Sequence, residues 1–416
     1  MFDLDKWNEI YLTVKQNKLR TFLTAFGVSW GIFMLVLLLA AGKGFQNGVL
    51  NSFDIAKNSL FVWSQRTSEP YMGLKVGRFI QLNTDDAAAI RHEIPETDAI
   101  VPQMFLDGNF TVNRGTKNSS FNVFGSSPDY TKVEPLKMKE GRFVNELDWR
   151  EKRKVAVIGE TVQKMLFDEN ESPIGEYIKI KGVFFRVVGV FKIKGKGEDA
   201  AENGKKIMIP LPTLQQSFNK ANKVGWFAFT PKKGIPTDVV EAKIKTLLAV
   251  RHKISPTDLK AIGSANVEKE FKQIQGLFTG IRVFSWFVSI CTIVAGIVGV
   301  GNIMLIVVRE RTKEIGIRKA LGATPFSIVS LIIQESVVIT GIAGYMGLVF
   351  GAGLVELISV LMKKYELEGQ FFMNPEVDVE VAVTATMLLV FTGALAGMLP
   401  AIKAANINPV EALADK

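Results

Sequence analysis

The chain has 416 residues, 48% of them hydrophobic and 22% charged, with a formal net charge of +9. A mean hydropathy of +0.20, with the apolar residues gathered into a few long runs, excludes a wholly soluble globule and indicates a membrane protein with a polar extramembrane part. The one cysteine, Cys291, lies in an apolar run, which excludes an intramolecular disulfide and argues against a thiol metal site.

In chain order, residues 1–20 place Leu4, Trp7, Ile10, Tyr11 and Val14 on one helical stripe flanked by Lys6, Lys15, Lys18 and Arg20. This is the pattern of an amphipathic helix on a membrane surface. It does not read as a cleavable signal, because acids and amides precede an apolar run too long for a signal core. Residues 21–42 are uncharged between Arg20 and Lys43. As a helix they cover about 33 Å, enough for a hydrocarbon core of about 30 Å.

The segment 43–282 begins and ends with helical patterns. Phe45, Val49, Phe53 and Ala56 extend the first span, and Val267, Phe271, Ile274, Phe278 and Ile281 lead into the second; the near-heptad spacing predicts two packed stalk helices. Between them the periodicity predicts strands at 59–64, 100–106, 110–113, 121–124, 155–158, 177–180, 184–190, 207–209 and 226–230. Helices are expected at 84–92, 161–167, 213–218 and 237–250, with Asn83 or Thr84 as the first cap and a hairpin at Gly182. The charged, glycine-rich stretch 192–206 reads as a loop. The acids are scattered as on a solvated surface, and His92 and His252 read as solvated side chains.

Residues 283–308 form a second uncharged span and 381–402 a fourth. The third, 325–362, would reach about 57 Å as one helix, so it must break or run well past the bilayer. Gly347 with Gly351, and Gly393 with Gly397, have the GxxxG spacing that lets helices approach closely in lipid. Glu335 lies deep in the third apolar run, either as a polar contact or latch inside the bundle or near an interface where it reaches water. The 309–319 loop carries five Lys/Arg, whereas 363–380 has two against five acids. The basic bias therefore puts both termini (residues 1–20 and 403–416) and 309–324 in the cytoplasm, and 43–282 and 363–380 outside. It also accounts for the net charge without nucleic acid.

No P-loop, HExxH or GxSxG motif is present. The stretch RERTKEIGIRKALGAT, residues 309–324, combines charges with a small apolar strip (Ile315, Ala320, Leu321) and two glycines, Gly316 and Gly322. A helix of this kind suits docking into a groove of another protein, or contact with lipid headgroups.

Four stretches in order, NKLRTFLTAFGVSWGIFMLV, KRKVAVIGETVQKMLFDENESPIGEYIKIKGVFFRVVGVFKIKG, VRERTKEIGIRKALGATPFSIVSLIIQES and LPAIKAANINPVEAL, make the chain resemble the MacB/FtsX-type ABC transporter permeases over nearly its whole length. The resemblance implies a permease with four transmembrane helices and a large α+β periplasmic domain. That domain would hold a porter-like subdomain (59–108 and 206–266) split around a sabre-like one (109–205). It implies an inner-membrane dimer of like or unlike copies, bound by a cytoplasmic ABC ATPase that carries ATP and Mg, with no cofactor or metal on the permease itself. By the same resemblance the docking residues are Arg311, Glu314, Ile315, Gly316, Arg318, Lys319, Leu321 and Gly322. The tail signature falls on Pro400, Ala404, Pro409, Glu411, Ala412 and Leu413. MacB itself carries its ATPase ahead of the first span; here twenty residues precede it, so a separate ATPase chain is expected. The expected activity is efflux from the periplasm with an adaptor and an outer-membrane channel. Release of lipoproteins (LolC/LolE-like) or FtsX-like control of a cell-wall hydrolase are the alternatives.

Overall fold

A computed structural model describes residues 18–52, 56–106, 111–168, 171–192, 202–365, 372–377, 379–409 and 412. The chain divides into two compact units, 52–275 and the remainder. Most of the expected amphipathic helix at 1–20 lies outside the described residues.

The 52–275 unit is built on strands β1 (Leu60–Ser64), β2 (Leu82–Asn83), β3 (Thr97–Phe105), β4 (Thr111–Arg114), β5 (Lys117–Ser120), β6 (Asn122–Ser126), β7 (Lys137–Gly141), β8 (Val155–Gly159), β9 (Tyr177–Ile180), β10 (Val183–Lys192), β11 (Lys206–Pro210), β12 (Lys223–Val224), β13 (Trp226–Pro231) and β14 (Ile262–Asn266). Twelve of them form one sheet in the order β14-β1-β13-β3-β6-β11-β8-β10-β9-β4-β5, with β7 also on β10. Alternation covers both faces. Ile100, Phe227, Phe229, Ala156 and Ile158 enter one core, while Ala99, Val101, Ala228 and Val157 enter the other. The pairs β8–β10 and β6–β11 are parallel.

Among the described strands, the two halves pair through β3 and β6, at Met104↔Gly125 and Phe105↔Phe124. The short helix Tyr130–Val133 of the insert also packs with Ala99, Val101 and Ala228 of the flanking half, and Ala56 N donates to Val133 O at 2.7 Å. β11 pairs with β6 and β8, strands of the inserted half. The hairpin expected at Gly182 joins β9 to β10, with Gly182 at φ +86°. The helix Thr84–Glu93 carries the expected Asn83 cap as a capping box closed by Asp86.

Two readings of polar residues are corrected. His252 is not a solvated side chain: its Nε2 meets Asp86 Oδ2 at 2.8 Å, and Arg251 Nε donates to Asp86 Oδ1 at 2.8 Å. Burial raises the Asp86 pKa, but the bonds from His252 and Arg251 outweigh it and hold the carboxyl below its ordinary value. Nor are the acids all solvated. Asp86, Asp148 and Asp258 are buried, and Asp258 accepts from the Ser68 and Ala261 amides. Glu268 accepts from the Thr237 amide at 2.8 Å and pairs with Lys272 at 2.5 Å. The Lys272 and Thr237 bonds bring its pKa down to about 2.

Among the described residues, four helices are long and apolar enough to cross a membrane, one at each expected span. The helices run Lys18–Ser52, Val267–Glu310, Pro325–Lys364 and Val379–Ala405. The third continues unbroken for 40 residues, about 60 Å, so it is length past the bilayer, and not a break, that accommodates the long run. Both GxxxG pairs lie at close seams. A methyl at Gly347 would collide with the Ser29 carbonyl oxygen, and one at Gly351 would lie 3.1 Å from Val36, both on the first helix. A methyl at Gly397 would lie 2.8 Å from Ser336 Cβ, joining the fourth helix to the third, where Ser336 Oγ donates to Gly393 O at 2.8 Å. Of the expected stalk contacts, Phe45 and Phe278 meet edge-on at 5.5 Å; Phe53 lies outside the described residues.

Candidate functional site at the charged helix between the second and third spans

The charged stretch folds as a helix, Thr312–Ala320. It stops where Gly322 takes φ +96°, a left-handed position that a side chain would strain. There Gly322 N donates to Lys319 O and Ala323 N to Arg318 O, at 3.1 and 3.0 Å. Thr324 then caps the third spanning helix and Pro325 occupies its first turn.

One face of this helix is turned into the bundle. Ile315, 8% exposed, belongs to a core with Met304, Val308, Ile328 and Ile332. A methyl at Gly316 would lie 2.7 Å from the Ala412 Cβ, so the chain's own tail occupies the close approach. Lys319 Nζ donates to the carbonyls of Ala405 and Ile407, 2.7 Å each. Ala405 is the last residue of the fourth spanning helix, whose final carbonyls have no partner within the helix. The ammonium therefore sits at the negative end of that helix dipole.

The charged groups form a chain of alternating sign. Arg318 Nη2 donates to Glu314 Oε1 at 2.7 Å, Arg311 Nε stands 3.4 Å from Glu314 Oε2, and Arg311 Nη1 donates to Glu335 Oε2 at 3.3 Å. Glu335 is 3% exposed, buried among the spanning helices. Pairing with Arg311 offsets the cost of a buried carboxylate. Beside the pair is a cavity of about 20 Å³, room for one water.

The other face is open. Leu321 is 84% exposed and Ile317 49%, with Phe326 at 80% beyond the turn, and Lys313 also reaches out. The expected apolar strip is therefore corrected: Ile315 points inward, whereas Ile317 and Phe326 join Leu321 and Ala320 outside. The i,i+4 spacing of Ile317 and Leu321 was the available signal for it. Of the tail signature, Pro400 and Ala404 are buried in the bundle, Pro409 is half-buried and Ala412 is buried beside Gly316. Glu411 and Leu413 lie outside the described residues.

Comparison with known proteins finds two family matches, the MacB-like periplasmic core domain over residues 21–247 and the FtsX-like permease C-terminal region over residues 286–409. A macrolide export ATP-binding/permease protein MacB of Shewanella sp. (strain W3-18-1) is 32% identical over 97% of this chain and 59% of its own length. A pyoverdine export ATP-binding/permease protein PvdT of Pseudomonas entomophila is 28% identical over 95% of this chain and 57% of its own. The chain thus spans somewhat under two thirds of these relatives. Among solved structures, the periplasmic region of MacB from Actinobacillus actinomycetemcomitans is 22% identical, over 55% of this chain and 98% of that one, with a TM-score of 0.44.

Proposed function

The chain belongs to the MacB/FtsX-type permeases, and on that premise we propose that it is the permease part of an ATP-driven export system whose ATPase docks on the helix Thr312–Ala320. In this reading the charged helix and both termini face the cytoplasm, and 43–282 stands outside. ATP and Mg stay with the ATPase. The observation that carries it is the two-sided build of the helix: Ile317, Leu321 and Phe326 face outward, while Arg311 and Lys319 bind inward.

A displacement imposed on the outer face then reaches three spans. The second precedes the helix in the chain, the third is bonded through Arg311–Glu335, and the fourth through Lys319. The movement would pass along the first two spanning helices to an external domain of porter-like flanks around a sabre-like insert. Two copies, alike or different, would act together on a substrate outside the membrane, with an adaptor and an outer-membrane channel completing the route. The export names of the relatives support this reading.

The test replaces exposed residues whose loss leaves the fold intact. Ile317→Asp and Leu321→Asp together should leave the yield and membrane insertion of the full chain unchanged. Recovery of the ATPase with the chain should fall by about thirtyfold, as for removal of central apolar anchors. Undiminished binding and stimulation of the ATPase by the double variant would remove the docking role.

A further inference from the structure

At the end of the four spans opposite the charged helix lies a cavity of about 320 Å³, within the size range of small-molecule sites. Three of its lining residues mark where uncharged runs begin or end on three different helices: Lys43, Arg282 and Glu380. They therefore share the level at which the helices pass from hydrocarbon to water. The deeper wall is apolar, from Leu39, Phe278 and Trp286, the last a residue type that favours the headgroup level.

The fourth charge, Glu376, comes from the loop before the fourth span, and that loop is fastened in place. Met373 N donates to Gly44 O at 3.0 Å, Asn47 Nδ2 donates to Asn374 O at 3.1 Å, and Pro375 packs over Gly44. Among the described residues, the side chains of Arg282, Glu376 and Glu380 form no ion pair. Two cations and two carboxylates thus edge a pocket with an apolar floor, and their charges cancel.

We propose that this cavity holds a zwitterionic phospholipid headgroup, its phosphate against Arg282 and its primary ammonium against Glu376 and Glu380. The acyl chains leave over the apolar wall toward Phe284 and Phe287, which are exposed on the second spanning helix. An anionic lipid would satisfy Arg282 and leave both carboxylates facing a negative group, so the balance of charge selects the zwitterion. This requires only that the four helices cross a membrane, and it stands or falls apart from the export reading.

The full chain is reconstituted in vesicles of equal parts phosphatidylethanolamine and phosphatidylglycerol, extracted in mild detergent, and its retained lipids are weighed by native mass spectrometry. The wild type should keep phosphatidylethanolamine over phosphatidylglycerol by about tenfold, the value of one lost charge-assisted bond. Arg282→Gln and Glu380→Gln should each bring that ratio near one. Lys363→Gln, an exposed charge at the same end that does not line the cavity, should keep it. Equal retention of the two lipids by the wild type, or an undiminished ratio in both cavity variants, overturns the assignment. So does loss of the ratio in the Lys363 variant, which would mean general surface charge.

Discussion

Replacing Lys319 by methionine keeps the length and apolar stem of the side chain and removes the ammonium. Two 2.7 Å bonds to the carbonyls of Ala405 and Ile407 are lost with it. A bond from a charged group contributes about 1.5–3 kcal/mol when buried. Lys319 is half-exposed, so the lower end applies, and its two bonds share one ammonium; about 2 kcal/mol in total is the expected loss. That corresponds to roughly a thirtyfold rise in the fraction of time the tail is detached from the charged helix. Amide hydrogen exchange in the full chain reads this, because the Asn406 and Ile407 amides bond to carbonyls at the end of the fourth spanning helix and Ala412 to Asn408 O, short turns that open once the tail is no longer held against the charged helix. Their exchange should accelerate about thirtyfold in Lys319→Met. Lys313→Met, an exposed neighbour on the same helix, should change nothing. Unchanged exchange of those amides in Lys319→Met would refute the idea that this side chain ties the tail down.

Two further outcomes follow from the geometry. Gly347→Leu places a side chain against the Ser29 backbone and should lower thermal stability in detergent by about 3 kcal/mol or abolish folding, whereas Gly353→Ala, with open space around it, should be neutral or mildly stabilising. Glu268, with its pKa lowered to about 2 from an ordinary 4.5, contributes stability that is complete above pH 4.5 and is lost as pH falls through 2. The shift is worth at most about 3 kcal/mol, less the screening of a partly exposed group. In Glu268→Gln, acid unfolding of the 52–275 unit should lose this part of its pH dependence, as measured by tryptophan fluorescence of the full chain.

The spans were legible because a charge inside lipid is costly, so twenty or more residues without one can have few other meanings. The well-buried strands, such as Val155–Gly159 and Trp226–Pro231, announced themselves by β-branched and aromatic content. Lys117–Ser120, Lys137–Gly141 and Ile262–Asn266 did not, since polar and small residues form strands there only because a neighbour offers an edge. The charged helix was legible as an element, but its two faces were not. Ile315 and Ile317 are about 200° apart around a helix, so one must face away from whatever the other touches, and composition cannot say which. The partners of its charges were equally hidden, because Arg311 meets Glu335 and Lys319 meets Ala405 only through the fold. His252 misled for the same reason: its neighbours Arg251 and Lys253 suggest a solvated surface, while Asp86, which it meets, lies far earlier in the chain.

The strand pairing at β3 and β6 bears on how the 52–275 unit is made during synthesis. The inserted strands, β4 to β11, are contiguous in the chain, and among the described residues all but β6 pair only with one another. The flanking half is different, since β1 and β3 must await β13 and β14, more than a hundred residues later. Local pairing closes sooner than distant pairing. The insert is therefore the part able to fold while the rest of the unit is still being made, and β3, with one side still unpaired, is the surface that must be kept from misassociation until β13 arrives.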